Sequence, residues 1–351
     1  MSHATDSSAL PVPSSVAILG PGQMGLVAAA VLHDRCSTTL WGHDRKEIDD
    51  LAQSRRTPRL PEFHLSESVH CIRKDADLAT ADFIVSAIPV QFMRSVWTRI
   101  APHVREGVPV ISVAKGIENN TLLRPTQIIA DTLRKSGKDN PDAKPRPIGT
   151  LSGPTIATEL AKCLPAAMIA ASDDPRLATL TQKLFATSWL RIYTHPDVLG
   201  VELAGAVKNI IAIAAGICDG LQAGNNAKSA LLARGLAEIV RLGTAMGASQ
   251  QTFFGIAGVG DLATTCFSPE GRNRSCGEAL GKGRKLAEYL ASTPHVVEGV
   301  ETTRGVMELA KKYRVELPIV AAVHGVLFDS VDPIEAIGTL MSREQKAERV
   351  G

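Results

Sequence analysis

Val16-Ala-Ile-Leu-Gly20-Pro-Gly-Gln-Met-Gly25 decides the architecture: a short apolar run ends in glycine, and G-x-G-x-x-G leads into the small-residue stretch Met24–Leu32. An apolar run of this kind reads as a buried strand, and the stretch after it as a helix. The three glycines answer three needs. Gly20 turns the chain tightly, Gly22 lets a pyrophosphate approach the backbone, and Gly25 packs helix on strand. The helix N-terminus then offers free N–H groups and a partial positive charge to phosphate. The spacing alone also fits a tight strand–helix turn without a ligand, but its place at the first strand of a βαβ unit favours a dinucleotide.

Outward from that turn the alternation continues. Thr38–Trp41, Phe83–Ile88, Val108–Val113, Ile148–Leu151 and Ala167–Ala171 read as further strands. Polar or helical stretches separate them, the pattern of a parallel sheet with helices on both faces. The Pro-rich, charged run Lys138–Pro147 reads as a surface loop, and Asp131–Pro147 as a peripheral insertion. From about Asp197 the pattern turns helical, at Val201–Gly216, Ala227–Met246, Leu286–Leu290, Thr303–Tyr313 and Ile319–Phe328, with no strand between. The expected fold is α/β: a flexible tail over 1–14, an N-terminal Rossmann-type doubly wound sheet over 15–195, and a C-terminal all-α substrate and catalytic domain over 196–351.

A chain of 351 residues exceeds what one core usually holds, which agrees with two domains. Its 44% hydrophobic and 21% charged residues describe a globular protein rather than a disordered one. Lys+Arg of 38 against Asp+Glu of 36 leaves a net charge of +2, with no bulk pull towards nucleic acid or anionic membrane. Any anionic ligand must therefore be met by a local site. Cysteines at 36, 71, 163, 218, 266 and 276 form no Cys-x-x-Cys pair, which fits reduced thiols in a cytoplasmic protein. The N-terminal residues show no signal-type pattern. Apolar stretches such as Ile210–Ile217 stop well short of the ~20 residues of a membrane span.

Several residues carry chemistry in this frame. The second strand ends Trp41-Gly-His-Asp-Arg45, where Asp44 can hold a ribose 2′-hydroxyl and His43 or Arg45 a 2′-phosphate, so NAD and NADP both remain open. Lys115 lies just beyond the carboxyl end of a strand, where open parallel sheets bind ligands. Leu151-Ser-Gly-Pro-Thr-Ile-Ala157 repeats that arrangement, with Gly153 at the turn and the Thr155 hydroxyl free to donate and accept. In Glu202-Leu-Ala-Gly-Ala-Val-Lys-Asn209, Lys208 interrupts a small, apolar helix. A lysine buried there is costly unless paired or functional, and desolvation lowers its pKa towards the range of a general acid or base. A lysine snorkelling at the helix edge is the plainer alternative. Gly255-Ile-Ala-Gly-Val-Gly-Asp-Leu262 reads as a close-packed loop presenting Asp261 to Lys208 or to a substrate hydroxyl. Arg272-Asn-Arg274, in the turn after Pro269–Gly271, offers a guanidinium fork for phosphate, with one of the two arginines expected at the plain surface. No H-E-x-x-H, G-x-S-x-G or P-loop is present, and the nine histidines lack metal-ligand spacing.

Taken in order, Gly20–Gly25, Ser112–Glu118, Ser152–Ala157, Glu202–Gly216, Phe254–Arg274 and Val297–Val300 closely resemble the bacterial NAD(P)-dependent glycerol-3-phosphate dehydrogenases, over roughly Val16 to Met341. The resemblance implies interconversion of sn-glycerol 3-phosphate and dihydroxyacetone phosphate, with a role in phospholipid synthesis. It makes Lys208 the proton carrier and lines the phosphorylated substrate's site with Lys115, Gly153, Thr155, Asp261, Gly271, Arg272 and Asn273. For NADH or NADPH it points to Gly20, Gly22, Gln23, Met24, Gly25, His43, Lys115, Ala157, Arg272, Val296, Val297 and Glu298. A homodimer is also implied. Pro21, Gln23 and Met24 depart from the family's usual turn, and Gly271 stands where a serine is frequent. Two rivals remain: a two-domain β-hydroxyacid or ketopantoate-type dehydrogenase, and a non-catalytic dinucleotide sensor.

Overall fold

The structure is a computed structural model that describes residues 9–139, 145–293, 295–345 and 347. Residues 1–8 of the expected tail and 140–144 of the Pro-rich stretch lie outside the described residues. The first half alternates strand and helix: β1 Ser15–Leu19, α1 Gln23–Leu32, β2 Ser37–Trp41, α2 Arg45–Ser54, β3 Val69–Ile72, β4 Phe83–Ser86, α3 Val90–Ile100, β5 Val110–Ser112, α4 Pro125–Lys135, β6 Ile148–Ser152, α5 Ala157–Ala161, β7 Ala166–Ser172, α6 Pro175–Phe185 and β8 Leu190–His195. The strands form one sheet in the order β3-β2-β1-β4-β5-β6-β7-β8. β1 lies between β2 and β4, so the order reverses there and opens a crevice beyond the carboxyl ends of the strands.

The sheet is not parallel throughout. β7 runs antiparallel to β6, and β8 follows β7 in parallel. The connection between β6 and β7 holds no long crossover helix. Its one helix, α5, has five residues, about 7.5 Å at 1.5 Å per residue. Two strands escape the apolar-run criterion. β3, Val-His-Cys-Ile, is a short edge strand, and β8 alternates buried and exposed residues before ending in polar ones.

The stretch Asp131–Pro147 is less peripheral than its composition implies. Asp131 lies within α4 and accepts ion pairs from Arg94 at 2.5 Å and Lys135 at 2.9 Å. Arg146 is buried, paired with Asp139 at 2.8 Å and donating to the carbonyls of Val108 at 2.7 Å and Arg105 at 3.0 Å. A guanidinium so enclosed is kept by its hydrogen bonds, which net charge along the sequence does not reveal.

Beyond β8 the described chain is helical: α7 Val198–Gly220, α8 Gly224–Ala245, α9 Gln250–Phe253, α10 Asp261–Phe267, α11 Arg272–Gly281, α12 Leu286–Ser292, α13 Glu298–Tyr313, α14 Pro318–Phe328 and α15 Pro333–Met341. α7 is the axle of this half. It is long and apolar enough to cross a membrane, yet 89% of its most apolar window is buried inside the fold. Ile210, Ile211 and Ile213 are fully enclosed by residues of α8, α10, α11, α13 and α14. Each such side chain stabilises the fold by about 1.5–3 kcal/mol. Segment 255–262, expected as a loop, is a π-helical turn over Ile256–Gly260 running into α10, and Asp261 is that helix's first residue.

The two halves are joined through a buried carboxylate. Glu202 of α7 accepts from the Thr126 backbone N–H at 2.9 Å and hydroxyl at 2.8 Å, and pairs with Arg124, both on the α4 side. The helix carrying Lys208 is thereby fixed against the sheet.

Candidate active site

The turn after β1 builds one end of a cleft of about 560 Å³ that runs between the sheet and the helical half. Gly20 has φ +104°, a region that side chains disfavour. A Cβ on Gly25 would collide with the Gly20 carbonyl, so the first turn of α1 can approach β1 only as glycine. α1 begins after Gly22 with no side-chain cap, which leaves its N–H groups to the cleft. Gly20, Gly22, Gln23 and Met24 line the cleft; Gly25 stands behind it as the packing residue. A glycine cradle at an uncapped helix N-terminus fits the pyrophosphate of a dinucleotide.

At the end of β2, His43 and Asp44 both line the cleft. The Asp44 carboxylate accepts from the backbone N–H groups of Lys46 and Glu47 and so caps α2. Arg45 is exposed on α2 and does not line the cleft. His43 does, its Nδ1 3.2 Å from the Arg99 guanidinium, which is held by Asp75 at 2.7 and 2.8 Å. Because a guanidinium only donates, His43 Nδ1 accepts and Nε2 carries the proton. Arg59 also lines this end, paired with Glu47, and its carbonyl accepts from Gln23 Nε2 at 2.8 Å. Nothing in the local sequence marks Arg59, which reaches the cleft from an irregular segment after α2.

The other end is a buried charge cluster. Lys208, on α7, is 5% exposed; its ammonium pairs with Asp261 Oδ1 and donates to Thr265 Oγ1 at 2.6 Å. Lys115, after β5, donates to Asp261 Oδ2 at 2.6 Å and to the Gly153 carbonyl at 3.0 Å. One fully buried carboxylate thus serves two ammonium groups. Burial lowers the Lys208 pKa to about 8; the Asp261 charge pulls it back up and the like charge of Lys115 pushes it further down. Gly153 turns with φ +144°, and its carbonyl also accepts from Thr155 Oγ1 at 3.2 Å. Thr265 was not singled out from the sequence. With 255–262 taken as a loop, the i, i+4 relation between Asp261 and Thr265 on one helix was invisible.

α11 closes this end. Gly271 is its uncapped N-cap, and Arg272 and Asn273 form its first turn, not a preceding loop. Both line the cleft, as do Lys115, Thr155, Ala157, Lys208, Asn209, Gly271, Val296 and Glu298. Arg272 is exposed to the open cleft and its Nη1 lies 3.4 Å from the Val296 carbonyl. Asn273 Oδ1 accepts from Gly299 N at 2.9 Å, tying α11 to α13. Val297 is buried behind the wall as the residue before α13, and Asp261 lies beneath the floor. Burial raises the Glu298 pKa, with Arg272, Lys115 and Lys208 opposing it. Arg274, the other arginine of the pair, is not plain surface either: its side chain is only 15% exposed and faces away from the cleft.

This constellation matches a known family along the chain. Residues 15–178 match the model of the NAD-dependent glycerol-3-phosphate dehydrogenase N-terminus, and 197–338 that of its C-terminus. The chain belongs to this family. A glycerol-3-phosphate dehydrogenase [NAD(P)+] of Salinibacter ruber is 42% identical over 339 residues, covering 95% of this chain and 97% of that protein. One of Syntrophotalea carbinolica is 39% identical over 337 residues, covering 95% and 99%. The crystal structure of glycerol-3-phosphate dehydrogenase from Coxiella burnetii superimposes with a TM-score of 0.88 at 33% identity, covering 95% of this chain and all of that one. A ketopantoate reductase from Ralstonia eutropha reaches a TM-score of 0.58 at 13% identity, a likeness of fold alone.

Proposed function

We propose that this chain interconverts sn-glycerol 3-phosphate and dihydroxyacetone phosphate with NAD(H) or NADP(H), and that Lys208 carries the proton. The observation that supports this most is the Lys208–Asp261–Lys115 cluster at the far end of the cleft from the glycine turn. A buried lysine with a pKa of about 8 can give and take a proton near neutral pH. Gly20, Gly22, Gln23, Met24 and His43 would hold the dinucleotide, which when bound supplies or accepts the hydride. Ala157, Val296 and Glu298 belong to the same wall, with Val297 packed behind it.

In ketone reduction, protonated Lys208 donates to the substrate oxygen as alkoxide character develops; in alcohol oxidation, neutral Lys208 accepts the hydroxyl proton. Asp261 and Thr265 hold the ammonium in place, so little orientation is left to chance at the moment of transfer. Lys115 adds a second donor and a like charge that keeps Lys208 acidic. Arg272, Asn273 and the uncapped N-terminus of α11 receive the phosphate. Anchoring the phosphate fixes the reacting carbon and lets remote binding assist the chemical step. The expected role is supply of glycerol 3-phosphate for phospholipid synthesis, in a cytoplasm that keeps the six cysteines free.

Purified protein is mixed with dihydroxyacetone phosphate and NADH or NADPH in parallel, and the near-ultraviolet absorbance of the reduced coenzyme is followed. Loss of absorbance with either supports the reaction and, by comparison, ranks the coenzymes. No loss with both, together with turnover of 2-keto acids, would replace it by a ketopantoate-type activity.

A further inference from the structure

A second buried charge cluster lies outside the cleft and takes no part in the chemistry above. Asp219, in the last turn of α7, accepts from Lys228 Nζ of α8 at 2.8 Å on each oxygen and from Arg274 Nε of α11 at 2.6 Å. Lys228 is 6% exposed, and none of the three residues lines the cleft. A carboxylate at a helix C-terminus is opposed by the helix dipole, so this position is unfavourable without cations. Here it has two.

The cluster sits at the end of an unusual contact between α7 and α11. Gly216 and Gly220 of α7 face Gly277 and Gly281 of α11, and a Cβ on any of the four would press on the opposing backbone. With glycine on both sides the helices touch backbone to backbone at these positions, where no side-chain ridge helps to fix their register. A polar pair is the kind of contact that sets register where packing does not. α7 carries Lys208, and α11 begins at Arg272, two residues before Arg274.

We infer that Asp219, through Arg274, is a positioning residue that holds the phosphate-binding start of α11 in register with the proton-carrying lysine of α7. The inference rests on the proposed roles of Lys208 and Arg272. One residue of slip along a helix moves its start by about 1.5 Å. A misplacement of about 1 Å can cost about 10² in rate. The loss falls on a substrate that spans both anchors. Dihydroxyacetone, which lacks the phosphate, reaches only the lysine end.

The test compares kcat/KM for dihydroxyacetone phosphate and dihydroxyacetone in wild type, Asp219→Asn and Arg274→Lys. The second variant leaves Asp219 paired with Lys228 but removes the guanidinium that reaches it from α11, and it is read alone if the first does not accumulate as folded protein. The expected result is a fall of about 10² for the phosphorylated substrate, with dihydroxyacetone changed less than about twofold. Coenzyme binding, followed by fluorescence titration, is expected to hold in both variants. Equal losses on the two substrates, or no loss on either, would overturn the tie. Wild-type protein silent with dihydroxyacetone phosphate would instead overturn the proposed activity, so the two failures are distinguishable.

Discussion

Replacing Asp261 by asparagine keeps its shape and removes the one negative charge that Lys208 and Lys115 share. In the intact protein Lys208 titrates at about 8, because burial outweighs the support of that carboxylate. Reduction needs the protonated lysine and so declines as pH rises through about 8, whereas oxidation needs the neutral form and rises through the same value. An opposite charge at this range is worth about 1–3 pKa units. Without it the midpoint moves down to about 5–7, and Lys115, having lost the same partner, pushes in the same direction. At pH 7 the protonated share of Lys208 then drops from about nine-tenths to between about a half and about a hundredth. Initial rates of dihydroxyacetone phosphate reduction at pH 7 should fall by a similar factor and recover on acidification. Oxidation of glycerol 3-phosphate should meanwhile extend to lower pH. A reduction midpoint that stays at the wild-type value, or moves up, would refute Asp261 as the group that sustains the charge on Lys208.

Lys208→Ala should lower turnover by about 10²–10⁴ with coenzyme binding little changed; near-normal turnover removes Lys208 from the acid–base role. Arg124→Met leaves Glu202 buried without its cation, and urea unfolding should register a loss of about 3–5 kcal/mol. A loss under about 1 kcal/mol would mean that the two threonine hydrogen bonds suffice. Glu238 accepts from the backbone N–H groups of Ile319 and Val320, and burial raises its pKa from 4.5 to about 7. The folded state therefore binds this proton more tightly than the unfolded chain, and the associated stability is complete below 4.5 and lost as pH rises through about 7. Glu238→Gln should flatten that decline, which amounts to about 3 kcal/mol; an unchanged slope of urea midpoint against pH would count against it.

How much of this could be read from the chain depended on whether the physical demand was local. Gly20 and Gly25 were legible because a strand–helix turn with a backbone approach admits only glycine at those positions. Lys208 was legible because a charge in a small, apolar helix asks for a reason. The reversal at β7 was not, since apolar runs such as Ala166–Ser172 look alike in either direction. Nor was the π-helical turn at Ile256–Gly260, whose glycines imitate a loop. Arg59 and Asp219 were hidden for another cause. Each looks like ordinary surface in sequence, and only the fold brings Arg59 to the cleft and Asp219 between Lys228 and Arg274.

The charge of the whole chain and the charge of its cleft also differ in an instructive way. A net charge of +2 spread over 351 residues gives no field that would gather an anionic substrate. Around the lysine end of the cleft, Lys115, Lys208 and Arg272 stand against Asp261 beneath the floor and Glu270 on the wall, and burial biases Glu298 towards its neutral form. The local balance is therefore positive where the phosphate would lie. Such a site recognises an anion at contact distance rather than by long-range steering, so added salt should weaken substrate binding only modestly, through Arg272 at the open cleft, the enclosed Lys115 and Lys208 being screened less. A KM for dihydroxyacetone phosphate that climbs steeply with ionic strength would show instead that exposed cations at the mouth, and not this enclosed set, provide the attraction.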